Sequence, residues 1–172
     1  MFSMNKLNSK EQKALFLHLL FSLIEGAIKG VLVLNEFVFL KSLDGSEYQL
    51  GFLFQFSVVV FVFLIFINEF IRRIPYKRKV LRYTGIITRL PLLLLAFFPS
   101  NPEIIASSGI YHLLFLGIFL IFFLYQPVVF PIINLLLKQN YRPENFGRLY
   151  SYGQTVHKIT MLVVTFGYGF LL

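Results

Sequence analysis

Apolar residues in this chain gather in five long runs, separated by short polar stretches rich in lysine and arginine. A helix that crosses the hydrocarbon part of a bilayer needs about 20 predominantly apolar residues. The runs are of about this length, so the pattern predicts an all-α, polytopic membrane helix bundle with five transmembrane helices. The predicted spans are residues 14–40, 50–71, 80–98, 109–137 and 149–172.

Two local signals predict where these helices begin and bend. Ser9 and Gln12 lie three residues apart and predict a capping box that starts the first helix just upstream of its apolar run. Pro127 and Pro131 lie one turn apart in the fourth run, and each removes a backbone hydrogen bond. We therefore expect a bent fourth helix. The bend is either a static kink or a break of the kind that transporters place at binding sites and gates.

Composition supports a membrane protein and excludes several soluble classes. Of the 172 residues, 57% are hydrophobic and 14% are charged, against roughly 25% charged in an ordinary soluble domain. A soluble domain of this size could not hide 22 phenylalanines without exposing large apolar patches. Cysteine is absent, which excludes a disulfide framework and a thiolate nucleophile. The formal charge of +8 lies between apolar runs rather than on a solvated face, so we expect no nucleic acid partner.

The cations between the runs predict an orientation. Lysine and arginine beside spans are retained in the cytoplasm. Three precede the first span, six lie between the second and third, and three between the fourth and fifth, whereas the opposite side has only Lys41. We therefore expect an integral protein of the plasma (inner) membrane, with its N-terminus in the cytoplasm and its C-terminus outside. The first run is too long for a signal peptide and predicts an uncleaved span.

A stripe of polar residues in the first span is the most informative pattern. Its members are His18, Ser22, Glu25, Lys29 and Glu36, whose spacing places them on one face of a continuous helix. A charged residue at the centre of a lipid-facing helix costs about 2.5 to 3.5 kcal/mol. The stripe is therefore expected to face protein or water.

Two interpretations of this stripe remain open. Gly26 and Gly30 flank it at the spacing that lets a second helix approach closely. Glu25 and Lys29, four residues apart, either neutralise each other and only help helices pack, or line a polar pathway near the middle of the membrane.

Lys158 is a second candidate, about ten residues into the fifth span, beside His157 and one turn after Gln154. If it faces the same interior as Glu25, a net positive pocket results. Otherwise it extends its charged end toward the cytoplasm. Arg89 interrupts the short third span, and we expect it to contact freed backbone carbonyls or a neighbouring threonine rather than a ligand.

Catalytic constellations are absent from the sequence. The three histidines fall on different spans, and there is no His-Glu-x-x-His helix, no Gly-x-Ser-x-Gly elbow and no glycine-rich phosphate loop. A lone intramembrane histidine is expected to be hydrogen-bonded packing. We therefore expect no enzyme, no catalytic residues, no cofactor and no metal site.

Two cytoplasmic stretches resemble those of a known family. The chain reads Asn-Glu-Phe-Ile-Arg-Arg-Ile-Pro-Tyr-Lys-Arg-Lys over 68–79 and Arg-Pro-Glu-Asn-Phe-Gly-Arg over 142–148. These resemble the major facilitator superfamily of transporters, which carries Gly-x-x-x-Asp-Arg-x-Gly-Arg-Arg between spans two and three, and Pro, Glu and Arg-Gly-Arg before span five. In the first stretch the cations match but the glycines and the aspartate do not. In the second, Phe146 stands in place of the first arginine.

The resemblance covers nearly the whole chain and implies an alternating-access carrier of about twelve spans, in which two halves rock around a central site. Spans one, two, four and five then line the cavity and span three is peripheral. The implied substrate-binding or coupling residues are Glu25, Lys29, Gln126, Gln154 and Lys158. The implied cytoplasmic gate consists of Glu69, Arg72, Arg73, Lys77, Arg78, Gly147 and Arg148, with Glu69 as a substitute for the missing aspartate.

The expected function is that of a secondary transporter, or its amino-terminal part, for a small polar solute such as an organic anion, with a proton as the candidate coupling ion. Residues 1–172 would then form a single transmembrane domain that is incomplete relative to a twelve-span carrier. Besides the lipid bilayer and the solute, its expected partner is the missing carboxy-terminal half or a second subunit. The alternative is a non-transporting integral membrane protein whose charged helices serve interaction and assembly.

Overall fold

The computed structural model describes residues 7–99, 101, 104 and 109–171, and all the regular structure in them is helical. The elements are α1 (Ser9–Leu32), α2 (Asn35–Ser42), α3 (Glu47–Val62), α4 (Leu64–Arg73), α5 (Lys77–Arg89), a 3-10 helix (Leu90–Phe97), α6 (Gly109–Phe123), α7 (Tyr125–Asn140) and α8 (Pro143–Gly169). The predicted all-α class is confirmed.

Three stretches of the described residues are long and apolar enough to cross a membrane: Ser9–Phe39, Lys77–Phe97 and Gly109–Asn140. The helices α3 and α4 form a fourth if they count as one span, with a bend of 45° between them. The structure thus shows three candidate spans, or four, rather than the predicted five. The helix α8, over the predicted fifth span, is long enough, but polar residues in its first two thirds lower its apolar content. Leu172, where that span was predicted to end, lies outside the described residues.

The capping box of α1 is displaced by one residue from the prediction. Asn8, not Ser9, is the N-cap: its side chain accepts a hydrogen bond from the Glu11 backbone at 2.7 Å, and its own backbone N–H donates to Glu11 Oε2 at 3.2 Å. Asparagine is among the most favourable N-cap residues. The Gln12 amide donates instead to the Leu7 carbonyl at 3.2 Å.

A two-residue turn interrupts the first predicted span. The helix α1 ends at Leu32, and α2 begins at Asn35. Glu36, the last member of the predicted stripe, therefore belongs to α2, where its side chain is half-buried, although Ser9–Phe39 still counts as one candidate span.

In the fourth predicted span, Leu124 interrupts the helix between α6 and α7, although Gly109–Asn140 still counts as one candidate span. Pro127 is the third residue of α7 and has no N–H to donate to the Phe123 carbonyl, so one hydrogen bond of the helix is missing at this point. Pro131 lies inside α7, which continues to Asn140. The interruption thus precedes the prolines by about one turn.

The described residues form two compact units, one within 7–35 and 134–171, and the other within 36–133. In the first, α1 packs along α8. In the second, α6 contacts α3, α5 and the 3-10 helix. Large apolar side chains remain exposed on the helices; Ile65 and Phe66, for example, are 76% and 72% exposed. Such surfaces are typical of helices solvated by lipid, and they indicate a membrane protein.

Two polar residues of the second unit, His112 and Arg89, are hydrogen-bonded to backbone carbonyls. The ring of His112 hydrogen-bonds the Leu43 carbonyl through Nε2 at 2.6 Å and packs edge-on against Phe39. Arg89 donates to the Gly85 carbonyl at 3.3 Å, as expected for contact with the backbone, and its guanidinium lies 4.0 Å from the centre of the Tyr125 ring.

Candidate functional site

The contact between α1 and α8 is built on two glycines. A Cβ atom added to Gly26 would lie 2.5 Å from the His157 carbonyl oxygen, and one added to Gly30 would lie 2.7 Å from the Met161 carbonyl oxygen. These distances are shorter than van der Waals contact, so only glycine lets the two backbones approach this closely. The predicted helix-packing role of Gly26 and Gly30 is confirmed.

Most of the polar stripe on α1 faces this contact. His18, Ser22 and Glu25 are buried, and Lys29 is half-buried. The Thr165 hydroxyl of α8 donates to the Gly30 carbonyl at 2.9 Å, which adds a hydrogen bond between the two helices. The expectation that the stripe faces protein rather than lipid is confirmed for this part of α1.

At the beginning of α1, Glu11 binds the segment that connects α7 to α8. Its carboxylate is fully buried and accepts hydrogen bonds from the backbone and guanidinium of Arg142 at 3.0 and 3.1 Å and from the Asn145 amide at 3.0 Å. The hydrogen bond and the charge of Glu11 raise the pKa of Arg142 above its ordinary value. We call this set of contacts among Glu11, Arg142 and Asn145 the Glu11 clamp. It was not predicted from the sequence, where the only signal is one acidic residue among the lysines before the first apolar run.

About two turns after Glu11 on α1, His18 lies against α8. Its Nδ1 is 3.1 Å from the Tyr141 hydroxyl, its ring stacks on Tyr150, and the ring contacts Gly153, where a side chain would collide with it. Burial and the negative charge of Glu11 raise the pKa of Tyr141 to about 12. His18 is thus hydrogen-bonded packing, as expected of a lone intramembrane histidine.

Farther along the pair lie three of the predicted site residues. Glu25 is 3% exposed, and Lys29 follows one turn later. On the facing helix α8, His157 is half-buried and Lys158, next to it in sequence, is exposed. The Nδ1 atom of His157 is buried and has no hydrogen-bond partner in the described part of the chain. The structure therefore brings one acid, two lysines and a histidine to one helix pair.

Lys158 borders an open groove on the flank of this pair. The groove has a volume of about 460 Å³ and is lined by Val33, Lys158, Ile159, Met161, Leu162 and Thr165. The Thr165 hydroxyl is already engaged with the Gly30 carbonyl, so Lys158, which is exposed, is the one charged residue among the six that line the groove. Lys158 makes no hydrogen bond or ion pair with any residue that the structure describes.

The other two predicted site residues do not line this groove. Gln154 is exposed on α8, one turn before Lys158. Gln126 is half-buried near the start of α7, in the second unit.

The predicted gate residues make local contacts on exposed helix ends. Glu69 accepts a hydrogen bond from Arg73 at 2.9 Å and lies 3.9 Å from Arg72, all on α4. Lys77 donates to the Ile74 carbonyl at 2.9 Å, and Arg78 is exposed. Surface ion pairs of this kind contribute about 0 to 1 kcal/mol.

The remaining gate candidates lie in the first turns of α8. Gly147 is exposed, with open space beside its Cα, and Arg148 donates to the Asn145 side chain at 3.4 Å. Phe146, which departs from the family pattern, stacks on Tyr150 with ring centres 5.7 Å apart. It thereby extends the aromatic packing around His18.

No protein family, curated protein or solved structure matches this chain. Support for a function therefore comes from the residues of the helix pair themselves.

Proposed function

We propose that the chain is the amino-terminal part of a secondary transporter of the major facilitator type, which moves a small organic anion across the membrane by alternating access. The observation that supports this proposal is the position of Glu25 and Lys29 on α1, which packs along α8, and of Lys158 on α8 beside an open groove. Charged residues inside spans are rare and are functional candidates by default.

The charges of this site favour an anionic solute. Glu25, Lys29 and Lys158 have a formal sum of +1 when ionised. In a medium of low dielectric, such an excess is unfavourable unless an anion or a change of protonation compensates it. The lysines are the electrostatic partners of the anion, and Glu25 is their ion-pair partner or the carrier of a coupling proton.

In this proposal α8 is a fifth span. Its 27 residues extend about 40 Å at 1.5 Å per residue, more than the roughly 30 Å of hydrocarbon in a bilayer. A helix that lines a solute path carries polar residues and is therefore less apolar than one surrounded by lipid.

The N-terminus is cytoplasmic, Glu69 and the cations of residues 72–78 belong to the cytoplasmic gate, and a second half or subunit completes the cavity.

A second candidate is a non-transporting assembly protein. The observation that favours it is the glycine-mediated contact of α1 with α8, in which Glu25 and Lys29 would only help the helices pack.

Measuring the uptake of an organic anion distinguishes the transporter from the assembly protein. In cells expressing the gene product that contains residues 1–172, the proposal predicts saturable uptake of an organic anion that Glu25→Gln abolishes without lowering the amount of protein in the membrane. Glu47→Gln, at an exposed position in the first turn of α3, is the matched control and should leave uptake unchanged. Equal uptake by cells with and without the protein would favour the assembly protein.

A further inference from the structure

The groove beside Lys158 has a composition that restricts its ligand. Of its six lining residues, four are aliphatic or methionine, and Thr165 has its hydroxyl turned to Gly30. A strongly hydrated solute such as a dicarboxylate would leave most of its polar groups without partners against this lining, which is unfavourable.

The single charge sets the other requirement. Lys158 is exposed beside the groove and is hydrogen-bonded to no residue that the structure describes, so an anionic group at this end would gain a charge-assisted hydrogen bond from its ammonium. From Lys158 to Thr165 the helix rises about 10 Å, the length of a medium-chain alkyl group. The volume of about 460 Å³ lies within the roughly 300 to 1,000 Å³ of small-molecule sites.

We infer that this groove binds an amphiphilic monocarboxylate, with its carboxylate on the Lys158 ammonium and its apolar chain along Ile159, Met161 and Leu162. This inference rests on the proposed function for its choice of site and narrows the organic anion to one with a substantial apolar part. The binding itself does not require transport.

The absence of cysteine from the chain allows a direct test with a single introduced thiol. The chain with Leu162→Cys is reconstituted in phosphatidylcholine nanodiscs and treated with a small neutral thiol reagent, with and without octanoate. Octanoate should protect the thiol in a saturable manner. Shortening the ligand to hexanoate should raise the half-protecting concentration about fifteenfold, since each methylene contributes about fourfold.

Several controls identify what is recognised. Val163→Cys lies next in sequence on the exposed surface but does not line the groove, so octanoate should not protect it. Octanol tests the need for charge and succinate tests the need for an apolar chain; neither should protect Leu162→Cys. In the Leu162→Cys background, Lys158→Gln should weaken octanoate protection at least tenfold, and Lys158→Arg should retain part of it.

Four outcomes would overturn the inference: equal protection by octanol, equal protection by succinate, protection that survives Lys158→Gln, and a thiol that does not react even without ligand. Protection by phosphatidylglycerol in the bilayer, with no carboxylate added, would assign the groove to lipid and would overturn it as well. Octanoate protection without cellular uptake would support the binding site and contradict the proposed transport. Cellular uptake of an anion without octanoate protection would support transport and contradict the binding site.

Discussion

At the residue scale, Glu11 is the polar group most completely enclosed by the described protein. It is fully buried, and its donors come from its own N-cap and from the beginning of α8. Each hydrogen bond to a charged group contributes about 1.5 to 3 kcal/mol, and solvent screening at the half-exposed Arg142 reduces this. Glu11 therefore contributes to stability through contacts that join the two ends of the first unit.

We expect Glu11→Gln to lower the free energy of unfolding by about 2 kcal/mol, because the amide removes the charge and places an unwanted donor beside Arg142 and Asn145. Unfolding by denaturing detergent in mixed micelles measures the change. Glu47→Gln is the matched control, since Glu47 is exposed, and should change stability by less than about 0.5 kcal/mol. Equal effects of the two substitutions would contradict the clamp.

The same clamp marks the limit of prediction from sequence at this scale. Glu11 and Arg142 are 131 positions apart, and no local pattern connects them. By contrast, the buried positions of His18, Ser22 and Glu25 follow from helical spacing together with the unfavourable transfer of charge to lipid. Spacing within one helix is visible in the sequence, whereas the partner of a side chain on another helix is not.

At the element scale, the pair α1 and α8 depends on the absence of side chains at its closest point. Gly26→Ala introduces a methyl group against the backbone of α8, where nothing can move aside easily. Overpacking of this kind destabilises a protein by about 1 to 3 kcal/mol. Replacing glycine by alanine in a helix stabilises it by about 1 kcal/mol at most, so the overpacking dominates.

We expect Gly26→Ala to lower the melting temperature in detergent and Gly167→Ala to leave it unchanged or raise it. Gly167 is the control because it lies in α8 with open space around its Cα. Thermal unfolding followed by circular dichroism measures both. A melting temperature for Gly26→Ala equal to that of Gly167→Ala would contradict the close approach of the two helices.

The positions of the helices could be predicted from the sequence better than the positions at which they are interrupted. The apolar runs located the helices because burial in lipid requires them. The turn after Leu32 was not predicted, since the site carries no proline or glycine of its own. The interruption of the fourth span was predicted as a bend at Pro127 and Pro131, but it lies at Leu124. Pro127 explains the second break only once the position of the α7 start is known.

At the scale of the whole molecule, the number of spans decides where α8 ends. The proposed five-span arrangement places its end outside the cytoplasm, whereas four spans, the most that composition supports among the described residues, would leave it inside. A phosphatase reporter fused after Gly169 should therefore be active outside, and one fused between Arg72 and Arg82 should be inactive. A cytoplasmic reporter after Gly169 would contradict the fifth span.

The central claim is that Lys158 is the electrostatic partner of a transported anion. Its most direct test is uptake of a radiolabelled carboxylate by cells expressing the gene product that contains residues 1–172. Lys158→Ala should reduce uptake of the anion at least about tenfold with little effect on expression, because it removes the cation from the groove, and Lys158→Arg should retain part of it. Transport of a neutral or cationic solute that is equal in wild type and Lys158→Ala would show that the lysine only extends toward the interface, and would contradict the account.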